Sequence, residues 1–166
     1  MVNLSEGSKP TTRQSHSYKA DESFTIFGSL SAGSDLMNGI LKQCEKHNIK
    51  SGIVSCIGSL KEVGYVLFKT MNGMPLGYGS EITIKKPVEL ISGTGFICEN
   101  ESKELDLHFH GLVITEDGEM GAGHFLRGKN PTLITIEFSI TASNNIGAVR
   151  EFDANLGFKV INFFNH

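Results

Sequence analysis

Apolar and polar residues alternate with a period near two along most of this chain, and with a helical period in one place. Met37, Ile40, Leu41 and Cys44 stand at i, i+3, i+4 and i+7, the spacing that lines one face of a helix of about three turns. Turn and capping residues, Ser31-Ala32-Gly33-Ser34-Asp35, precede it, and Lys46-His47-Asn48 closes it. A basic His47 suits a helix C-terminus, where the dipole favours positive charge.

Elsewhere the pattern predicts strands. Ser23 to Leu30 alternates Phe24, Ile26 and Gly28 against Thr25 and Phe27. Gly52 to Ile57 is an apolar run stopped by Gly58-Ser59, and Val63 to Lys69 is a further strand. Residues 70–80, with Asn72-Gly73 and Gly77-Tyr78-Gly79, read as a loop or irregular hairpin. Val88 to Ile97 is a strand whose Gly93 and Gly95 mark bulges or close approaches. Pro87 cannot donate to a ladder, which puts this strand's start at an edge or a bulge. Cys98 to Lys103 is a polar turn. Leu105 to Thr115 and Met120 to Leu126 form a hairpin around Glu116-Asp117-Gly118-Glu119. Thr132 to Thr141 is the last long strand, with Ile134, Ile136, Phe138 and Ile140 on one face and Thr135, Glu137 and Ser139 on the other. After Ser143-Asn144-Asn145 the chain ends on Leu156-Gly157-Phe158-Lys159-Val160-Ile161-Asn162-Phe163-Phe164. That end docks as a final strand, in this protomer or in a neighbour's. Residues 1–20 are polar and read as a partly ordered arm, leaving 21–166 as one domain.

Composition narrows the function classes. The net charge is −3 and no run of Lys and Arg stands out, against the basic footprint of a nonspecific DNA binder. Cys44, Cys56 and Cys98 are odd in number and mostly set in apolar runs, which reads as buried thiols in a reducing compartment. No signal peptide and no apolar stretch of about 18 residues stands out, so a cytoplasmic protein without a membrane span is expected. Walker loop, dinucleotide fingerprint and nucleophile elbow are all missing from the sequence.

The chemistry concentrates in three of the 6 histidines. His108 and His110 lie on one face of a strand, about 6.6 Å apart at ~3.3 Å per residue, close enough for both rings to meet one ion. If Asp117-Gly118 is a two-residue hairpin loop, paired residue numbers sum to about 235. His124 then lies beside His110, diagonally or through a bulge at Gly121 or Gly123. Three histidines leave a coordination position open, as in three-histidine zinc sites. The other reading is hydrogen-bonded structural histidines. Imidazole suits zinc, copper, nickel and iron alike, with zinc the usual occupant. Glu137 is either a supporting carboxylate or an exposed strand residue. Asp106, Gly123, Ser59 and Glu89 complete the supporting or pocket candidates.

Taken in order, Ala32-Gly33-Ser34-Asp35-Leu36, Ile57-Gly58-Ser59-Leu60, Val88-Glu89-Leu90-Ile91-Ser92-Gly93, Leu107-His108-Phe109-His110 and Ala122-Gly123-His124-Phe125 resemble the plants-and-prokaryotes conserved domain, also called domain of unknown function 296. The resemblance spans roughly residues 23–142. It implies an α+β fold, a curved and mainly antiparallel sheet with one main helix packed on it. It also implies a homotrimer and, as in some bacterial and archaeal members, a metal on His108, His110 and His124. Plant members carry an AT-hook before the domain. The N-terminal stretch here holds only Lys9, Arg13 and Lys19, so the family's DNA-binding label rests on a segment this sequence does not show. Where plant members read Gly-Arg-Phe-Glu-Ile-Leu, this chain has Lys86-Pro87-Val88-Glu89-Leu90, and Ala122 and Phe125 replace a Gly and a Leu around His124. The expectation is a small zinc-binding trimer with a binding or regulatory role and a small anionic ligand at the metal. The alternatives are a DNA-associated regulator, and a metal-dependent hydrolase or lyase using Glu137 or Asp106 as proton acceptor.

Overall fold

The computed structural model describes residues 13–166. Part of the polar arm read over 1–20 lies outside them. From Arg13 the chain runs without regular structure, and Arg13 donates to the Asn162 side chain and the Ile161 carbonyl.

Among the described residues one helix forms, α1 (Leu36–Lys46), where the 3.6 period predicts it. Its N-cap Asp35 accepts from the Asn38 backbone N–H at 3.0 Å, satisfying one of the amides a helix start leaves without a partner. Leu36, Met37, Ile40, Leu41 and Cys44 are buried along the face it turns to the sheet.

The described residues form twelve strands: β1 (Ser23–Ser31), β2 (Gly52–Leu60), β3 (Val63–Val66), β4 (Phe68–Met71), β5 (Met74–Tyr78), β6 (Ile82–Ile84), β7 (Val88–Asn100), β8 (Leu105–Thr115), β9 (Met120–Phe125), β10 (Thr132–Ser143), β11 (Ile146–Asp153) and β12 (Phe158–Asn165). The main sheet runs β1-β10-β2-β7-β8-β9-β3-β6, antiparallel throughout, with β11 joining the far end of β7 in parallel and β12 pairing β11. The architecture is the expected α+β one, a mainly antiparallel sheet with the helix on one face. On β8 the odd positions Leu107, Phe109, Gly111 and Val113 are buried, while the even positions carrying His108 and His110 turn to the opposite face.

Several elements depart from the alternation. The 70–80 segment takes the irregular-hairpin form, β4 paired with β5 around Asn72-Gly73, both at positive φ as a tight two-residue turn requires, with a register shift between Lys69 and Thr70. The Val63 strand ends at Val66, and Ile82–Ile84 adds a short strand to it. Pro87 precedes a central strand, since Val88 pairs with both Leu60 and Thr115, and the proline needs no ladder because it stands one residue outside. Ile134 is 67% exposed, because the β10–β2 register shifts between Thr132 and Ile136 and breaks the alternation there. The tail forms a hairpin of two strands within the same chain.

A buried amide fastens the helix start to β3 and to the loop that follows the histidines. Asn130 is fully buried. Its side chain accepts from Gly64 N–H and donates to the Leu126 carbonyl, and its backbone N–H donates to Asp35 Oδ2. Asn130→Ala strands two of these partners in a dry site and is expected to cost about 3 kcal/mol. Denaturant unfolding measures it, and a loss well under 1 kcal/mol would contradict this account of the loop.

Candidate metal centre

The β8–β9 hairpin builds the site. His110 pairs directly with His124, and Gly111 with Gly123. Paired numbers therefore sum to 234, as in His110↔His124, one less than a two-residue loop gives. The loop is the three residues Glu116-Asp117-Gly118, with Gly118 at φ 86° and the Thr115 N–H donating to the Glu119 carbonyl, the three-residue hairpin with a left-handed third position. This register sets His124 straight across from His110, with no bulge needed.

Two glycines make the close pairing of these strands workable. A side chain at Gly111 would start 2.5 Å from Phe125 Cζ, and one at Gly123 would meet the Val66 carbonyl at 2.7 Å. Phe109 and Phe125 pack beneath, with ring centroids 5.5 Å apart, so the histidine face rests on a rigid aromatic floor.

On that face the three rings converge. His108 Nε2 lies 3.1 Å from His110 Nε2. Centroids are 5.0 Å apart for His108 and His124, and 5.4 Å for His110 and His124. One nitrogen from each ring lies within 4.8 Å of the others, and no other group of three or more His, Cys, Asp or Glu side chains does this among the described residues. Tetrahedral zinc with Zn–N of about 2.0–2.1 Å has nitrogen–nitrogen edges of about 3.3 Å, close to the shorter spacing. His124 Nδ1 is buried without a hydrogen-bond partner, a nitrogen lone pair or N–H left for something the protein itself does not supply. The donor set and the orphaned nitrogen fit a divalent transition metal.

Electrostatics keep these rings neutral, the form a metal binds. Burial is the main cause for all three. It lowers His108 to about 4, aided by the Arg150 guanidinium and His110. It lowers His124 to about 3, aided by His108 and Arg150. His110 is also lowered, by burial and then Arg150. The consequence for the metal-free protein has a definite sign. Histidines of the unfolded chain titrate near 6.5, so below that pH the unfolded state binds more protons than the folded one. The stability present above about pH 6.5 is lost as pH falls toward 4. Denaturation midpoints of metal-free protein are therefore expected to be lower at pH 5.0 than at pH 7.5, and a flat or rising trend would contradict rings held neutral by the fold.

The surroundings include Asp106, a supporting candidate from the sequence, and two residues the sequence did not point to, Arg150 and Tyr78. Asp106 shares the histidine face of β8. Its Oδ1 accepts from the Leu107 N–H and its Oδ2 from Arg150 Nη1 at 3.2 Å. Arg150 comes from β11 and is 9% exposed. Tyr78, at the end of the β4–β5 hairpin, stacks on His124 at 4.9 Å and meets Phe158 edge-on at 5.8 Å. No local pattern announces Arg150 or Tyr78, because each arrives through a pairing distant in sequence. The other candidates lie elsewhere. Glu137 is exposed on β10, and β2 and β7 separate that strand from β8. Three strand spacings of ~4.8 Å put it about 14 Å away, out of a ligand's reach. Ser59 and Glu89 pair with each other across β2 and β7, and Glu89 faces Ile114, four residues along β8 from His110 and about 13 Å distant. They line a shallow groove with Ile57, Ile91 and Ile134. The three cysteines are unpaired and buried, and burial raises each thiol to about 12, so none offers a thiolate near neutral pH.

The Plants and Prokaryotes Conserved (PCC) domain matches residues 18–144. The chain belongs to that family. The match ends before Arg150, so the β11–β12 hairpin lies beyond the matched PCC domain. Solved structures share the fold. A plant- and prokaryote-conserved protein of Pyrococcus horikoshii is 19% identical, covering 93% of this chain and 100% of its own, with a TM-score of 0.72. The metal-containing protein of Archaeoglobus fulgidus is 20% identical over 89% of this chain and 98% of its own, with a TM-score of 0.70. A candidate DNA-binding protein of Bacteroides thetaiotaomicron is 20% identical over 88% and 95%, with a TM-score of 0.69. No curated protein matches. No helix of the described residues is long and apolar enough to cross a membrane.

Proposed function

We propose that this PCC-domain protein is a zinc-binding homotrimer with a binding or regulatory role, holding the ion on His108, His110 and His124. The observation that carries the reading is the convergence of three imidazole nitrogens within 4.8 Å. The fold neighbour described as metal-containing supports it. Three nitrogen ligands leave one tetrahedral position open, so a bound zinc would supply a Lewis-acid site for water or a small anion. Self-association draws support from the exposed sheet face, where Phe27, Ile57, Ile91 and Ile134 are all in contact with solvent. An apolar face of this kind is a common mark of a protein interface.

Zinc titration against a competing chelator tests the metal reading. The expected result is one site per chain, and no binding above that of a denatured control would overturn it. Sedimentation equilibrium tests the assembly, with a trimer mass expected and a monomer mass contradicting it. The hydrolase or lyase reading has less to work with, since Asp106 is engaged through both oxygens and Glu137 stands three strands away. For the DNA reading, a chain of net charge −3 is expected to pass a heparin column at physiological salt. Retention that falls steeply with salt would favour DNA association.

A further inference from the structure

Resting on the three-histidine metal reading, we propose that Arg150 makes this centre a receptor for small carboxylates, anchoring the carboxylate group beside the open metal position. Arg150 reaches from β11 across the end of β7, where it pairs with Asn100, to Asp106 on β8. Asp106, His108 and His110 follow one another on the same face of that strand. The guanidinium therefore stands at the end of the histidine row.

Its own bonding is incomplete. The Arg150 side chain is 11% exposed, yet Asp106 is the only hydrogen-bonding partner of its guanidinium among the described residues, through Nη1. Nε is buried with no partner at all. A buried guanidinium normally saturates its planar fork, and one left with a free N–H has capacity for a further acceptor. Carboxylates match that fork in shape.

Charge selects the same class. Three neutral imidazoles with a divalent cation carry two positive charges, Arg150 adds one and Asp106 removes one. The surplus calls for an anion. A small carboxylate is therefore preferred over its neutral analogue.

The test uses full-length protein loaded with Co2+, titrated separately with acetate, acetamide and inorganic phosphate. Visible absorption of the ion reports binding and stoichiometry. In the parent, acetate is expected to change the spectrum at concentrations where acetamide does nothing. Arg150→Gln is expected to weaken acetate by about tenfold or more, the loss of a charged hydrogen bond, with cobalt still one per chain. Arg150→Lys is expected to recover part of that loss. Equal acetate affinity in parent and Arg150→Gln, or a preference for phosphate or acetamide, overturns the proposal while leaving the metal site standing. Failure of the parent to bind cobalt overturns the metal reading and this proposal with it. If Arg150→Gln does not fold, Arg150→Lys, which keeps the charge but loses the planar fork, is expected to bind acetate more weakly than the parent, and equal affinity overturns the proposal.

Discussion

His124→Ala is expected to lower zinc affinity by at least about a hundredfold while leaving the metal-free fold nearly as stable as the parent. Removing one of three ligands costs more than removing a residue that merely orients a ligand, and the latter already costs 10- to 100-fold. The small effect on stability follows from two opposing changes. The stacked contact with Tyr78 at 4.9 Å is lost, worth about 0.5–1.5 kcal/mol. A buried nitrogen with no partner is removed as well, which relieves a cost of about 1–3 kcal/mol. Chelator competition and denaturant unfolding on the same preparations separate the two quantities. Unchanged zinc affinity with a large loss of stability would make His124 a structural residue.

Phe109→Ala is expected to be the most destabilising single change, at about 3–5 kcal/mol. Phe109 is fully buried between His108 and His110 in sequence, and its ring packs against Phe125. It also fills the space that glycine leaves at Gly93, where a Cβ would sit 2.5 Å from the ring. With two such surfaces shaped around the ring, the cavity cannot collapse without moving β7 or β8. Domains of this size hold about 5–15 kcal/mol in all, so the variant stands near the edge of folding. Saturating zinc should recover part of the loss, since a ligand bound only by the folded state adds stability. A loss below about 1 kcal/mol would mean that the floor under the histidines is not rigid.

How much of this was legible in the sequence depends on how local each signal is. The helix and the bounds of the histidine strand are written in period and turn residues, and both stand where the alternation puts them. The hairpin register was off by one because Asp117-Gly118 fits either a two- or a three-residue loop. Only the left-handed Gly118 and the Thr115–Glu119 bond decide between them. Ile134 and Glu137 misled for a related reason. Alternation assigns a face only while the register is unbroken, and it says nothing of how many strands intervene between two residues. Arg150 was not legible at all. The residue it bonds is 44 positions away, on a strand it does not pair with.

Metal content of untagged protein, purified without exposure to nickel resin, tests the central claim most directly, measured beside His108→Ala and His124→Ala. The account predicts about one zinc per chain in the parent and loss of it in both variants. A parent that carries no metal and takes up none when zinc is supplied would contradict it, and would leave the three converging rings as a structural cluster.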